Sequence, residues 1–92
     1  MQVNFYATLR EIVGGKTVEF PLPDDATVTQ LLAILLERYP ALSEVLLEQD
    51  GRLRGHVHLL VNGRDVQFLE NGMDSVLSPK DTISIFPAIG GG

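Results

Sequence analysis

Apolar and polar residues alternate through "VNFYATL". Val3, Phe5, Ala7 and Leu9 fall on one face, with Asn4, Tyr6 and Thr8 on the other, the pattern of a half-buried strand. "REIVGG" follows as a connection, with Gly14-Gly15 as its turn. "KTVEFPL" alternates again, placing Val18, Phe20 and Leu22 together, so the two segments predict a hairpin that "PDD" closes. A helical period then takes over. Val28, Leu31, Leu32, Leu35 and Tyr39 form a stripe, widened by Ile34 and Leu36. Thr27 and Gln30 have capping-box spacing at its start, and Pro40 ends it. "ALSEVLLEQDG" predicts a further short turn of helix through Leu42 and Leu46, ended by Asp50-Gly51.

"HVHLLVNGRDVQFL" carries the clearest hairpin signal. Val57, Leu59 and Val61 alternate before Asn62-Gly63, a pair suited to the two positive-φ positions of a type I′ turn. "ENGMDSVLSPKD" is rich in turn formers, and Val76 and Leu77 are expected to pin it to the core. The last strand, "TISIF", puts Ile83 and Ile85 on one face, and Pro87 ends pairing because it has no N–H to donate. Its short apolar run suits the middle of a sheet. The order predicts an α+β chain with the ubiquitin-like β-grasp arrangement: a mixed sheet of about five strands packed on one main helix. Residues 1–87 are read as that domain and residues 88–92 as a flexible C-terminal tail.

Composition narrows the function. Ninety-two residues make one domain. With 45% apolar residues the chain can build a core, although a chain this short buries only roughly 60–65% of its unfolded surface. No run is long enough to span a membrane, and the start lacks a secretory signal, so the expected location is cytoplasmic. There is no cysteine, hence no disulfide, thiolate ligand or thiol nucleophile. A net charge of -5 disfavours nucleic acid and would suit a partner with a basic docking face.

Candidate chemistry is sparse along most of the chain. "GGKT" at residues 14–17 has part of a phosphate-binding loop, but Arg10 stands where the pattern needs glycine and the setting is strand to strand. His56 and His58 share a strand face, yet no third ligand is positioned by sequence, so they read as strand residues opposite the core. Asp24-Asp25 reads as a loop whose charge suits the helix start. Two neighbouring histidines offer little for a catalytic triad. What remains is the ending "PAIGGG". Extended, residues 88–92 reach roughly 17 Å past the fold. Glycines without Cβ atoms can thread a channel too narrow for side chains, which would present the Gly92 carboxylate to another protein. Taken alone, the glycines could equally be an inert tail.

Nearly the whole chain resembles the ubiquitin-like sulfur carriers of the MoaD/ThiS type. The resemblance rests on the opening strand followed by "LRE", the helix ending in "RYP", the "VNG" turn, and the last residues. There Gly91 and Gly92 take the family's terminal pair, and Gly90 stands at a spacer usually held by alanine or serine. Asp81 keeps the acid of the family's last turn, while Lys80 replaces the glycine before it. The resemblance implies no enzyme and no bound cofactor. It implies a carrier whose Gly92 carboxylate, preceded by Gly91, is adenylated with ATP by an adenylyltransferase related to ubiquitin-activating enzymes. A sulfur donor then makes a thiocarboxylate for a client enzyme. That client would be the molybdopterin synthase large subunit, this chain being the small non-catalytic one, or a cysteine synthase. The segments "LLEQDGRLRGHVH" and "VNGRDVQFL" resemble a longer subgroup that includes a cysteine-biosynthesis carrier and archaeal ubiquitin-like modifiers joined to lysines. The resemblance also implies a docking surface on the exposed sheet face, with Tyr6 and Phe86 as its aromatics and Pro87, Ala88, Ile89 and Gly90 leading into the partner. The same two rings could be ordinary sheet packing.

Overall fold

The computed structural model describes residues 1–87. The strands are β1 (Gln2–Phe5), β2 (Thr17–Glu19), β3 (His58–Val61), β4 (Arg64–Asp65) and β5 (Thr82–Phe86), and the helices are α1 (Leu9–Val13), α2 (Val28–Arg38) and α3 (Leu42–Leu46). The sheet runs β2-β1-β5-β3-β4. β5 pairs parallel with β1 and antiparallel with β3, so the last strand lies in the middle, as its apolar run requires. This is a mixed five-stranded sheet packed on a helix, the β-grasp fold.

One face of the sheet is closed by α2 and α3. Val3 and Phe5 of β1, Ile83 and Ile85 of β5, and Leu59 of β3 meet Val28, Leu31 and Leu35 of α2 and Leu42 and Leu46 of α3. The apolar stripe of α2 is therefore buried as its period predicts. Its start is a complete capping box: the Gln30 N–H donates to Thr27 Oγ1 at 3.2 Å, and the Thr27 N–H donates to Gln30 Oε1 at 2.8 Å. Such a cap contributes about 1 kcal/mol by satisfying N–H groups that the helix leaves open. Asn62 and Gly63 take φ of 52° and 85°, the left-handed pair of the expected turn. Asn62 also clamps the approach to β5, accepting from the Thr82 N–H at 2.9 Å and donating to Asp81 Oδ1 at 2.8 Å.

The structure departs from the alternation pattern in three places. β1 stops at Phe5, and Ala7 turns away with φ 53°, exposed, so Ala7 and Leu9 do not continue the strand face. Leu9 still reaches the core, from α1, whose end is capped by Gly14 at φ 80°. Second, the hairpin after Gly63 is paired only over Arg64–Asp65. The Asp65 side chain accepts from the Gln67 N–H at 3.0 Å and turns the chain into a 3₁₀ segment, Val66–Phe68. Third, only Leu77 of the expected pair is buried. Val76 is 61% exposed, because this stretch is extended and Leu77 is tied down by its N–H to Ala26 O at 2.7 Å. Among the described residues no helix is long and apolar enough to cross a membrane.

Candidate functional site

Among the described residues no helix covers the sheet face opposite α2 and α3. Register places Asn4 beside Ser84, Phe86 beside His58, and Ser84 beside Leu60 on this outward side. Tyr6 follows β1 on the same side, and its ring stacks on Phe86 with centroids 4.2 Å apart and planes 12° from parallel. The structure thus brings together the two aromatics singled out from the sequence. Arg10 of α1 lies over the Tyr6 ring, its guanidinium carbon 5.5 Å from the ring centre, held by its Nε donating to Phe5 O at 2.9 Å. Two arrangements secure the column: α1 delivers the arginine, and the parallel β1–β5 register sets one ring on the other.

Phe86 also forms one wall of a shallow groove. Its other walls are Leu60, Phe68 and Pro87, bordered by His56, His58, Arg64 and Asp65. Pro87 is buried and is the last described residue, so the described part of the chain ends beside this groove. Ala88, Ile89, Gly90, Gly91 and Gly92, expected as tail and reactive end, lie outside the described residues.

Both histidines are exposed and border the groove, but only His58 lies on a strand; β3 begins there, and His56 sits in the turn before it. His58 Nδ1 is 2.8 Å from Asp65 Oδ2 and donates its hydrogen to the carboxylate, which can only accept. Burial acts to raise the Asp65 pKa, but the Gln67 N–H and the His58 ring outweigh it and hold the carboxyl below its ordinary 3.8. A depressed carboxyl stabilises the fold fully above the unfolded value, and that contribution fades as pH falls through the folded one. Replacing Asp65→Asn should therefore lower the thermal midpoint at neutral pH, and the gap from wild type should narrow as the pH drops below 3.8. A gap that stays constant through acid would show that the charge on Asp65 contributes nothing. Among the described residues no group of three His, Asp or Glu side chains could hold a metal ion.

Sequence reasoning did not single out Leu60, Arg64, Asp65, Phe68 or Arg10. Leu60 was within reach, since the alternation of Val57, Leu59 and Val61 leaves it outward between them. Phe68 was hidden by reading "DVQFL" as strand, where the Asp65 cap makes a 3₁₀ turn instead. Pairing Arg10 with Tyr6 needed α1, which the alternation masked.

The chain is similar to Small archaeal modifier protein 3 of Haloferax volcanii, 41% identical over 92 residues, spanning 100% of this chain and 98% of that one. It is 31% identical over 92 residues to the sulfur carrier protein CysO of Mycobacterium tuberculosis, with 98% and 96% of the two chains covered. The crystal structure of SAMP1 from Haloferax volcanii superposes with a TM-score of 0.84 at 30% identity, over 99% of this chain and 97% of that one. The family model described as ThiS family matches residues 3–92, so the match extends through the glycine ending to the last residue. With that match, the β-grasp sheet and these full-length relatives, this chain belongs to the ThiS family of ubiquitin-like proteins.

Proposed function

We propose that this chain is a sulfur carrier whose reactive group is the main-chain carboxyl of Gly92. The observation that carries the reading is the family match running through residue 92, on a fold whose last described residues, Phe86 and Pro87, line an apolar groove. A carboxylate is a poor acyl group until activated. A Gly92 oxygen attacks the α-phosphorus of ATP bound to an adenylyltransferase, pyrophosphate leaves, and an acyl-adenylate forms. Hydrosulfide-level sulfur from a donor then adds to the acyl carbon, AMP leaves, and the thiocarboxylate remains. The chain supplies a handle and an acyl group, and the chemistry belongs to the partners. CysO is named a sulfur carrier, which supports sulfur carriage by this chain; the two clients we keep are a cysteine synthase and the large subunit of molybdopterin synthase. These roles fit a cytoplasmic protein.

The test is intact mass after incubation with the adenylyltransferase, ATP and sulfide. The expected result is the gain that accompanies exchange of one oxygen for sulfur, absent when Gly92 is deleted. An unchanged mass with an active enzyme would overturn the reading.

A second reading is favoured by the 41% identity to a protein named a modifier: attachment of Gly92 to lysine amines through the same adenylate. It requires conjugates of higher mass in cells, lost when Gly91 and Gly92 are removed.

A further inference from the structure

Once the Gly92 carboxyl is activated, any amine within its reach competes with sulfur for the acyl carbon. Apart from the Met1 α-amino group, the chain carries two amines, Lys16 and Lys80, both exposed. The sheet sends them to opposite ends. The Phe5 N–H donates to Lys16 O at 2.7 Å, and Phe5 lies beside Ile85 on the parallel strand β5. Lys16 is therefore two strand spacings from Ile85, and Pro87 follows two residues on, a separation of roughly 12 Å. Lys80 precedes β5, beyond its other end, roughly 20 Å from Pro87. The Met1 α-amino group is at that far end too, since Gln2 lies beside Thr82. It is held there, donating to Phe20 O at 3.0 Å with Glu19 Oε2 3.6 Å away. Five residues follow Pro87, with a greatest reach of roughly 17 Å. That spans the gap to Lys16 with several residues' freedom to turn. It falls short of Lys80, because β5 runs into Pro87 heading away from it and a return must first reverse.

We infer that Lys16 is an internal acceptor for Gly92, on which the activated carboxyl closes as an isopeptide to give a lariat. The inference rests on adenylation of Gly92, and it gives the lysine attachment considered above an acceptor within the chain itself. Lys16 Nζ, as the free amine, adds to the acyl carbon of the adenylate. The C–N bond forms, the C–O bond to phosphate breaks, AMP leaves, and the proton lost from nitrogen passes to solvent. The product is the starting chain less one water. An ending extended into the adenylyltransferase holds Gly92 away from Lys16, so closure belongs to adenylate released before sulfur arrives. Tethering then favours Lys16 over lysines of other proteins, since a short linker gives an effective concentration on the order of millimolar. A closed chain has no terminal carboxylate left to activate. Lack of sulfur would thereby withdraw it from carriage.

The experiment uses the full chain, the purified adenylyltransferase of the same organism and ATP, first without a sulfur donor and then with sulfide. Intact mass should show an ATP-dependent species one water lighter than the starting chain. Dependence on ATP separates it from dehydration elsewhere in the chain. Proteolysis and fragmentation should place a branch between Gly92 and Lys16. Lys16→Arg should lower the closed fraction at least about tenfold, whereas Lys80→Arg should leave it within about twofold. ATP–pyrophosphate exchange by both variants should stay within about twofold of wild type, which separates a lost acceptor from a lost fold. Sulfide should lower the closed fraction as the thiocarboxylate appears. Exchange without a lighter species, or a lighter species that survives Lys16→Arg, overturns the acceptor and leaves the carrier reading standing. Covalent dimers in place of the closed chain show capture by a second copy and overturn it as well. No exchange at all overturns both the adenylation of Gly92 and the acceptor.

Discussion

Ile85→Ala should lower stability by about 2–5 kcal/mol, a large share of the roughly 5–15 kcal/mol that holds a domain together. Ile85 is fully buried on the central strand, with Phe5 opposite it on β1 and Leu59 opposite it on β3. Truncation leaves a cavity between two strand pairs that are held by backbone ladders and cannot close around it. For a chain of this length the thermal midpoint should fall by at least about 10 °C. Val76→Ala is the control: its side chain is 61% exposed, and the change should stay within about 0.5 kcal/mol. Equal midpoints for the two variants in thermal denaturation would contradict the placement of the core.

Deleting Gly92 should reduce activation by at least about a hundredfold without touching stability. The shortened chain still ends in a glycine carboxylate, so the chemistry of the group is unchanged and only its reach differs, by about 3.5 Å. A misplacement of about 1 Å can already cost a hundredfold when reacting atoms must be aligned. Gly90→Ala should be activated within about twofold of wild type, since it leaves the length of the ending and the position of the carboxylate intact. The comparison is read by ATP–pyrophosphate exchange. A harmful Gly90→Ala beside a harmless loss of Gly92 would reverse the assigned roles.

What could be read in advance depended on whether the local pattern and the tertiary environment agreed. The α2 stripe, its Thr27–Gln30 cap and the Asn62-Gly63 turn are local devices, and each appears where the residues place it. The central position of β5 followed from its apolar run. Alternation failed where a backbone event interrupted it. Ala7 at positive φ ended β1 while Leu9 stayed buried by another route, so the pattern of burial survived a change of element. Asp65 broke its strand by accepting from an amide two residues on, an interaction that competes with the ladder and leaves no hydrophobic signature. The outward sheet face was legible only in part. Tyr6 and Phe86 stood out as outward aromatics, but their stacking depends on the parallel register of strands eighty residues apart in sequence, roughly.

The account stands on one atom, the carbonyl carbon of Gly92. The most direct measurement is fragmentation mass spectrometry of the intact, sulfurated chain, which assigns the added mass to a residue. If Gly92 carries the sulfur, every fragment containing Gly92 has the oxygen-to-sulfur gain and fragments ending at Gly91 do not. A gain carried by fragments that lack Gly92 would contradict it.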